Sequence, residues 1–254
     1  MAKKQHKGSR SLHLRSLAAV SAILLMVTGL ILGASLIRRS IAEHDALQTM
    51  SREIYSGSIR PHIVLDPGHG GMDGGAIGCD GSVEKEINLE ISLLLRDLLG
   101  AFGYDVTMIR MDDTDLGGGS GTVREQKKAD LAARLEIMEQ DPGAAVLMIH
   151  QNQFTQSKYH GAQMFYGLKD TSSKLLAENL RGSIIDLVQP DNTREIKPAT
   201  DDVWLLMQCT NPIVLVECGF LSNPEECALL QDNAYQQQMA FAIAAGTAAA
   251  VSSK

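Results

Sequence analysis

Residues 63–71 read I-V-L-D-P-G-H-G-G, an apolar, β-branched run that ends at Asp-Pro-Gly. Such a run, bounded by turn residues, predicts a buried strand. Four similar runs follow, and residues 203–207 are a candidate sixth strand. The four runs are residues 105–109, 145–149, 162–165 and 213–216.

Apolar residues at helical spacing lie between these strands and predict intervening helices. They are Leu89, Leu93 and Leu99, then Leu131, Leu135 and Met138, then Leu176, Leu180, Ile184 and Leu187. An Ala-rich segment at residues 233–251 predicts a closing helix. Strands that alternate with helices indicate an α/β fold: a three-layer, open, mostly parallel sheet of about six strands with helices on both faces.

The N-terminal region differs from the rest of the chain. Residues 17–37 carry no charge, and about 21 residues at about 1.5 Å each suffice to cross a bilayer core of about 30 Å. More cations precede the segment than follow it, which favours a cytoplasmic N-terminus and an exported body. We therefore predict a basic cytoplasmic tail (1–16), a transmembrane anchor or uncleaved signal (17–37), a linker (38–60) and a globular domain (61–251). A cleaved signal peptide is the alternative, although its apolar region is usually shorter.

The composition argues against several classes of function. The net charge is −7, and the body has no basic stripe, so nucleic acid is not an expected partner. The four cysteines form no C-x-x-C pair, which argues against a thiolate zinc site or a thioredoxin-like motif.

Four chemically active residues lie in short motifs near strand ends. His69 follows the first strand, His150 lies in V-L-M-I-H-Q-N, and Glu217 ends the apolar run I-V-L-V-E. Ligands of open α/β sheets bind at the carboxyl ends of the strands, so we expect these side chains to converge. Glu84 begins the helix after the first strand, and the glycine-rich loop at residues 70–81 allows it to reach the same edge.

Two imidazoles and one carboxylate, with a fourth position open to water, form the ligand set of many catalytic zinc sites. The second carboxylate then serves as a general base. Glu217 suits this role because burial at the end of an apolar strand raises a carboxyl pKa towards neutrality. The sequence therefore predicts a zinc hydrolase.

Each residue also has a structural explanation. His69 and His150 could form hydrogen bonds in their loops, and Glu84 could stabilise a helix N-terminus. Glu86 and Glu90 are alternatives in the same helix. Glu217 is the hardest to explain in this way, since a carboxylate after V-L-V is costly unless it is paired or coordinated.

Four motifs in this order resemble the zinc-dependent N-acetylmuramoyl-L-alanine amidases. They are D-P-G-H-G-G-x-D-x-G-A-x-G at residues 66–78, E-K-x-I-N-L at 84–89, I-H-x-N at 149–152 and V-E-C-G-F-L-S-N at 216–223. The resemblance covers nearly all of residues 61–251. It implies that this segment is the catalytic domain. The G-A-Q-x-F-Y run at residues 161–166 and the block at residues 205–226 resemble the germination-specific branch of endospore formers.

The resemblance implies that His69, Glu84 and His150 bind one Zn²⁺ per chain and that Glu217 is catalytic. It implies hydrolysis of the amide between the lactyl group of N-acetylmuramic acid and L-alanine of the stem peptide. The partners would be glycan strands with stem peptides, the membrane through the N-terminal helix, and an activating protein. The role would be spore cortex maturation, through muramic-lactam formation, or germination. The site would then lie outside the cytoplasm, for example in the forespore intermembrane space.

Other assignments are more open. Asn152 and Arg110 are candidate substrate-binding residues, although structural pairing is the stronger explanation for Arg110. Gly74 stands where the family usually has proline, which bears on loop stiffness. The alternative activities are another zinc peptidase or a deacetylase of the wall. An inactive wall-binding module would require a lost ligand or base, and all four positions are filled.

Overall fold

The computed structural model describes residues 60–251 and has a mixed α/β architecture. Six strands form a sheet in the order β2-β1-β3-β6-β4-β5. β4 is antiparallel to β6, and the other pairings are parallel, which confirms the predicted, mostly parallel sheet. The strands are β1 (His62–Pro67), β2 (Asp105–Met108), β3 (Ala145–Asn152), β4 (Gln163–Tyr166), β5 (Lys197–Pro198) and β6 (Ile213–Phe220).

Helices cover both faces of the sheet. α1, α3 and α6 pack on one face, and α2 and α4 contribute to a second apolar cluster on the other. The helices are α1 (Glu84–Ala101), α2 (Val123–Met138), α3 (Ser172–Leu187), α4 (Trp204–Gln208), α5 (Pro224–Leu230) and α6 (Asn233–Val251). The helices predicted between the strands and at the end of the chain are confirmed.

The central strands alternate their side chains between the two clusters. In β3, Leu147 and Ile149 face α1, α3 and α6, whereas Val146 and Met148 face α2 and α4. Because side chains on a strand point alternately to opposite faces, His150 lies on the α2 and α4 face.

The prediction of a strand at residues 203–207 is wrong, because helix α4 occupies this position. The sixth strand of the sheet is β5. Leu205 and Leu206 are adjacent and both buried, whereas a strand with one buried face buries alternate residues. A five-residue apolar run carries too little periodicity to separate the two structures.

The predicted tail, anchor and linker at residues 1–60 lie outside the described residues, except for Arg60. Between residues 60 and 251, no helix is both long enough and apolar enough to cross a membrane.

Candidate functional site

The pairing of β3 with β6 brings His150 and Glu217 together. The two residues are direct partners in the parallel register, and alternation places both side chains on the α2 and α4 face. The strands continue beyond both residues, to Asn152 and Phe220. His150 and Glu217 therefore lie two or three residues before the ends of their strands. The backbone hydrogen bonds between β3 and β6 hold both residues in position.

A loop after β1 carries His69, which has φ 62° and is the non-glycine residue with positive φ in the described part of the chain. This left-handed conformation is costly for an L-residue and persists where surrounding contacts enforce it. The imidazole Nδ1 lies 3.0 Å from Oδ2 of Asp73. A carboxylate at this nitrogen orients the ring and leaves Nε2 facing the site.

Glu84 joins the loop and the strands. Its side chain is buried at the first position of α1. Oε1 lies 2.9 Å from Nδ1 of His150 and accepts from the backbone N–H of Gln151 at 3.1 Å. Oε2 lies 3.2 Å from Nε2 of His69 and accepts from the N–H of Ala76 at 2.8 Å. Both carboxylate oxygens are therefore oriented towards the two imidazoles.

The three side chains fit a metal ion. One ligand atom from each of His69, Glu84 and His150 lies within 4.8 Å of the others, a spacing that suits bonds of about 2 Å to a shared Zn²⁺. Buried side-chain oxygens without a hydrogen-bond partner are rare in proteins. In the described residues these oxygens belong to Asp66, Gln151 and Glu217, and all three residues lie around this cluster.

Close packing at Gly68 and Gly75 defines the space for these side chains. A Cβ at Gly68 would lie 2.1 Å from Nε2 of His150, and a Cβ at Gly75 would lie 2.5 Å from Oε2 of Glu84. Gly75 also has φ 70°. Glycine is required at both positions because no side chain fits there without displacing His150 or Glu84.

The electrostatics differ among the four residues. Burial alone would raise the pKa of Glu84, but its hydrogen bonds to His150 and His69 outweigh burial and hold the pKa well below its usual value. Burial would lower the pKa of His69, yet the hydrogen bonds to Asp73 and Glu84 raise it to about 9. Burial raises the pKa of Glu217 to about 7, against the opposing effect of His150. Glu84 is therefore an anion, whereas Glu217 can exchange a proton near neutrality.

Two buried arginines hold the His69 loop through its backbone. Arg110 donates to the carbonyl oxygens of Pro67 (2.9 Å) and Gly68 (3.0 Å). Arg134 donates to those of Pro67 (3.2 Å) and His69 (2.7 Å) and pairs with Asp66. The guanidinium groups thus bind three consecutive carbonyls, those of Pro67, Gly68 and His69. These contacts explain how the loop keeps the left-handed conformation of His69.

The predicted substrate-binding residues occupy different environments. Arg110 is buried, and two further donors bind the carbonyl oxygens of Lys85 and Asp112. Asn152 is half-buried at the end of β3. Their contact with substrate stays a prediction.

Sequence analysis missed Arg134 and Asp66. A buried carboxylate requires a partner, so Asp66 at the end of an apolar strand was a usable signal. Nothing local to the α2 sequence identified Arg134 as that partner, 68 residues away.

A cleft of about 260 Å³ contains His69, His150 and Glu217 and extends to Trp204 at the start of α4. The cluster is therefore accessible to a ligand from the α2 and α4 face of the sheet.

Comparison with known proteins identifies what this site resembles. Residues 63–249 match the family described as N-acetylmuramoyl-L-alanine amidase. The germination-specific N-acetylmuramoyl-L-alanine amidase of Bacillus subtilis is 34% identical over 219 residues, which cover 86% of this chain and 90% of that protein. The amidase AmiA of Escherichia coli is 32% identical, over 72% of this chain and 74% of AmiA.

Solved structures agree with these matches. The CwlD amidase of Clostridioides difficile, solved in complex with the GerS lipoprotein, is 40% identical with a TM-score of 0.74, over 77% of this chain and 100% of that one. The amidase AmiC2 of Nostoc punctiforme is 29% identical with a TM-score of 0.64, over 77% of this chain and 99% of that one.

Proposed function

The chain belongs to the N-acetylmuramoyl-L-alanine amidase family, and we propose that it hydrolyses its peptidoglycan substrate with one Zn²⁺ held by His69, Glu84 and His150. The bond cut joins the lactyl group of N-acetylmuramic acid to L-alanine of the stem peptide. The observation that carries the proposal is the convergence of both imidazoles on the buried carboxylate of Glu84, beside the unpaired Oε2 of Glu217.

Zinc bound in this way supplies Lewis acidity, which makes water nucleophilic near neutral pH and stabilises negative charge on the attacked carbonyl. Glu217 acts as the general base. Its Oε2 has no hydrogen-bond partner among the described residues, so the oxygen is free to accept the proton of the attacking water. Burial raises the pKa of Glu217, which favours the protonated form that returns this proton to the departing amine of L-alanine.

The surrounding residues hold these groups in place. The N–H groups of Ala76 and Gln151 orient the two oxygens of Glu84, and Asp73 orients His69. Such contacts to metal ligands maintain the geometry of a site before substrate arrives.

For the biological setting, we propose cortex maturation or germination of an endospore, supported by similarity to the germination-specific relative over 90% of that protein's length. The predicted anchor at residues 17–37 would hold the catalytic domain, residues 61–251, outside the cytoplasmic membrane. A lipoprotein is the proposed class of activating partner, because the similar CwlD amidase was solved with one.

The decisive experiment replaces Glu217 with alanine in the full-length chain. We expect release of L-Ala-initiated peptides from muropeptides to fall by about 10²-fold or more, because general-base catalysis contributes about 10²–10⁴-fold. Zinc content should stay near one per chain. Glu178→Ala is the matched control, since Glu178 is exposed on α3 and distant from the site.

Mass spectrometry of the digest separates the amidase from the alternative zinc enzymes. An amidase leaves glycan with a free lactyl carboxyl and intact stem peptides. A peptidase would cut within the stem, and a deacetylase would release acetate. Full turnover by the Glu217→Ala variant would contradict the role of Glu217.

A further inference from the structure

Trp204 is the single tryptophan of the chain and lies at the rim of the cleft that contains His69, His150 and Glu217. It is the first residue of α4, and the next two residues, Leu205 and Leu206, are buried in the core. These two anchors attach α4 to the domain, while Trp204 stays 43% exposed. The indole is therefore presented to the cleft on a rigid support.

The indole N–H of Trp204 meets no acceptor among residues 60–251. Tryptophan combines a large apolar area with one polar group, and it often dominates the binding energy where it is exposed at a recognition site. An exposed indole beside the proposed reaction centre, with a free donor, is thus suited to contact substrate.

The charges of the cleft indicate which part of the substrate lies there. Most charged groups that line it are paired, Arg134 with Asp66 and Asp130 and Lys127 with Asp73. Asp202 is exposed and forms no ion pair within the part of the chain that the structure describes. A stem peptide carries free carboxylates, which the negative charge of Asp202 beside Trp204 would repel. The sugar is neutral, because the lactyl carboxyl of the substrate is part of the amide. Carboxylates also accept hydrogen bonds from sugar hydroxyls.

A cation contacts the β4 neighbour of Glu217. Gln163 is the antiparallel partner of Glu217, and its Oε1 accepts from Arg194 at 3.3 Å. Arg194 lies over the ring of Phe220, 4.4 Å from its centroid, and Lys158 lies 5.4 Å from the ring of Tyr159 nearby. Arg194 therefore lies next to the β4 partner of Glu217, where its positive charge suits an anionic group.

We propose that Trp204 is the platform on which an N-acetylhexosamine ring of the glycan stacks, while the anionic stem peptide extends towards Arg194. The axial C–H groups of the sugar meet the negative face of the indole, and Asp202, two residues away, accepts from its hydroxyls. This inference rests on the proposed amidase function and adds an orientation to it.

The test compares two substrates of the full-length enzyme: a muropeptide, and the same stem peptide with a lactyl group but no sugar. In Trp204→Ala, KM for the muropeptide should rise about tenfold or more, the usual scale for loss of a tryptophan contact. The kcat should change little. Trp204→Phe should restore most of the affinity. For the sugar-free substrate, Trp204→Ala and the unmodified enzyme should have the same kcat/KM.

Phe241→Ala is the matched control, because Phe241 is similarly exposed, at 46%, on α6 away from the cleft. An unchanged KM of Trp204→Ala for the muropeptide would overturn the inference. The same would follow if the penalty were equal on the sugar-free substrate, because Trp204 would then contact the peptide. Absence of cleavage by the unmodified enzyme would instead contradict the proposed function.

The fluorescence of the single tryptophan gives a measurement that needs no variant. Peptide-free glycan strands added to the zinc-free, full-length protein should change the emission of Trp204 in a saturable manner. The stem peptide alone should not. A response to the peptide and none to the glycan would overturn the assignment.

Discussion

The loop that carries His69 and the strand pair that carries His150 and Glu217 reach the same site by different means. The parallel register of β3 and β6 places His150 opposite Glu217, and each side chain needs little beyond the backbone ladder. His69 has a left-handed backbone, and two buried arginines bind the carbonyls beside it. The strand half of the site therefore depends on the backbone pairing of β3 with β6, and the loop half depends on side chains that bind its backbone.

This difference predicts that substitutions around the loop alter metal affinity, whereas core substitutions beside the strands alter stability alone. Glu84 belongs to both halves, because its two oxygens contact His150 and His69.

The largest effect is expected for Arg134→Ala. Removal of the guanidinium leaves the buried carboxylate of Asp66 unpaired, which costs about 3–5 kcal/mol of unfolding free energy. The carbonyl of His69 also loses its donor, so zinc affinity should fall about 10–100-fold. Urea unfolding and zinc titration against a chelator measure the two effects.

Arg134→Lys keeps the charge without the planar fork, and we expect it to recover stability more fully than zinc affinity. Lys174→Ala is the control, because its ion pair with Glu178 is exposed and should contribute less than about 1 kcal/mol. Unchanged zinc binding in Arg134→Ala would show that the loop holds His69 without the arginine.

The substitution Gly68→Ala, in the loop that carries His69, is expected to displace the side chain of His150 on β3. The added Cβ would lie 2.1 Å from Nε2 of His150, so the ring must move. We expect a loss of about 1–3 kcal/mol in stability, together with weaker zinc binding. Gly182→Ala is the matched control: its Cβ would meet no atom within 4 Å, and alanine inside a helix is favoured by about 0.5–1 kcal/mol.

The pH dependence of stability separates the two halves in the zinc-free protein. The folded pKa of Glu217, about 7, lies above its ordinary value of 4.5, so the folded state binds the extra proton and stability falls as pH rises between these values. The folded pKa of His69, about 9, lies above its ordinary value of 6.5. Protonated His69 therefore stabilises the folded state fully below pH 6.5, and this stabilisation is lost as pH rises through 9.

Glu217→Gln should therefore remove a loss on the order of 3 kcal/mol between pH 4.5 and 7 and leave the higher window in place. Thermal unfolding across pH 4 to 10 provides the measurement. A slope between pH 4.5 and 7 that persists in Glu217→Gln would assign that window to another group.

The smallest effect is expected for Ile149→Val, directly before His150. Ile149 is fully buried on the opposite face of β3, and loss of one methylene costs about 0.5–1.5 kcal/mol. Zinc affinity should not change, because the register of β3 with β6 is set by the backbone. A parallel loss of zinc affinity would show that core packing also positions the strand half.

The elements of the fold were predictable where the apolar pattern was long or repeated. Five strands and the helices between them followed from runs bounded by turn residues. The segment at residues 203–207 was not predictable, because five apolar residues suit a strand and a helix equally. The consequence reaches the site, since α4 presents Trp204 to the cleft.

The sequence by itself determined the α/β fold, the motifs that contain His69, Glu84, His150 and Glu217, and their place near one edge of the sheet. Strand ends and turn glycines are local signals, and parallel strands bring their carboxyl ends together. Only the tertiary structure decided that Arg110 and Arg134 bind the backbone carbonyls of the His69 loop. It also decided that Trp204 lines the cleft. These properties depend on contacts between residues far apart in the chain, and no local sequence pattern reveals which of these residues will meet.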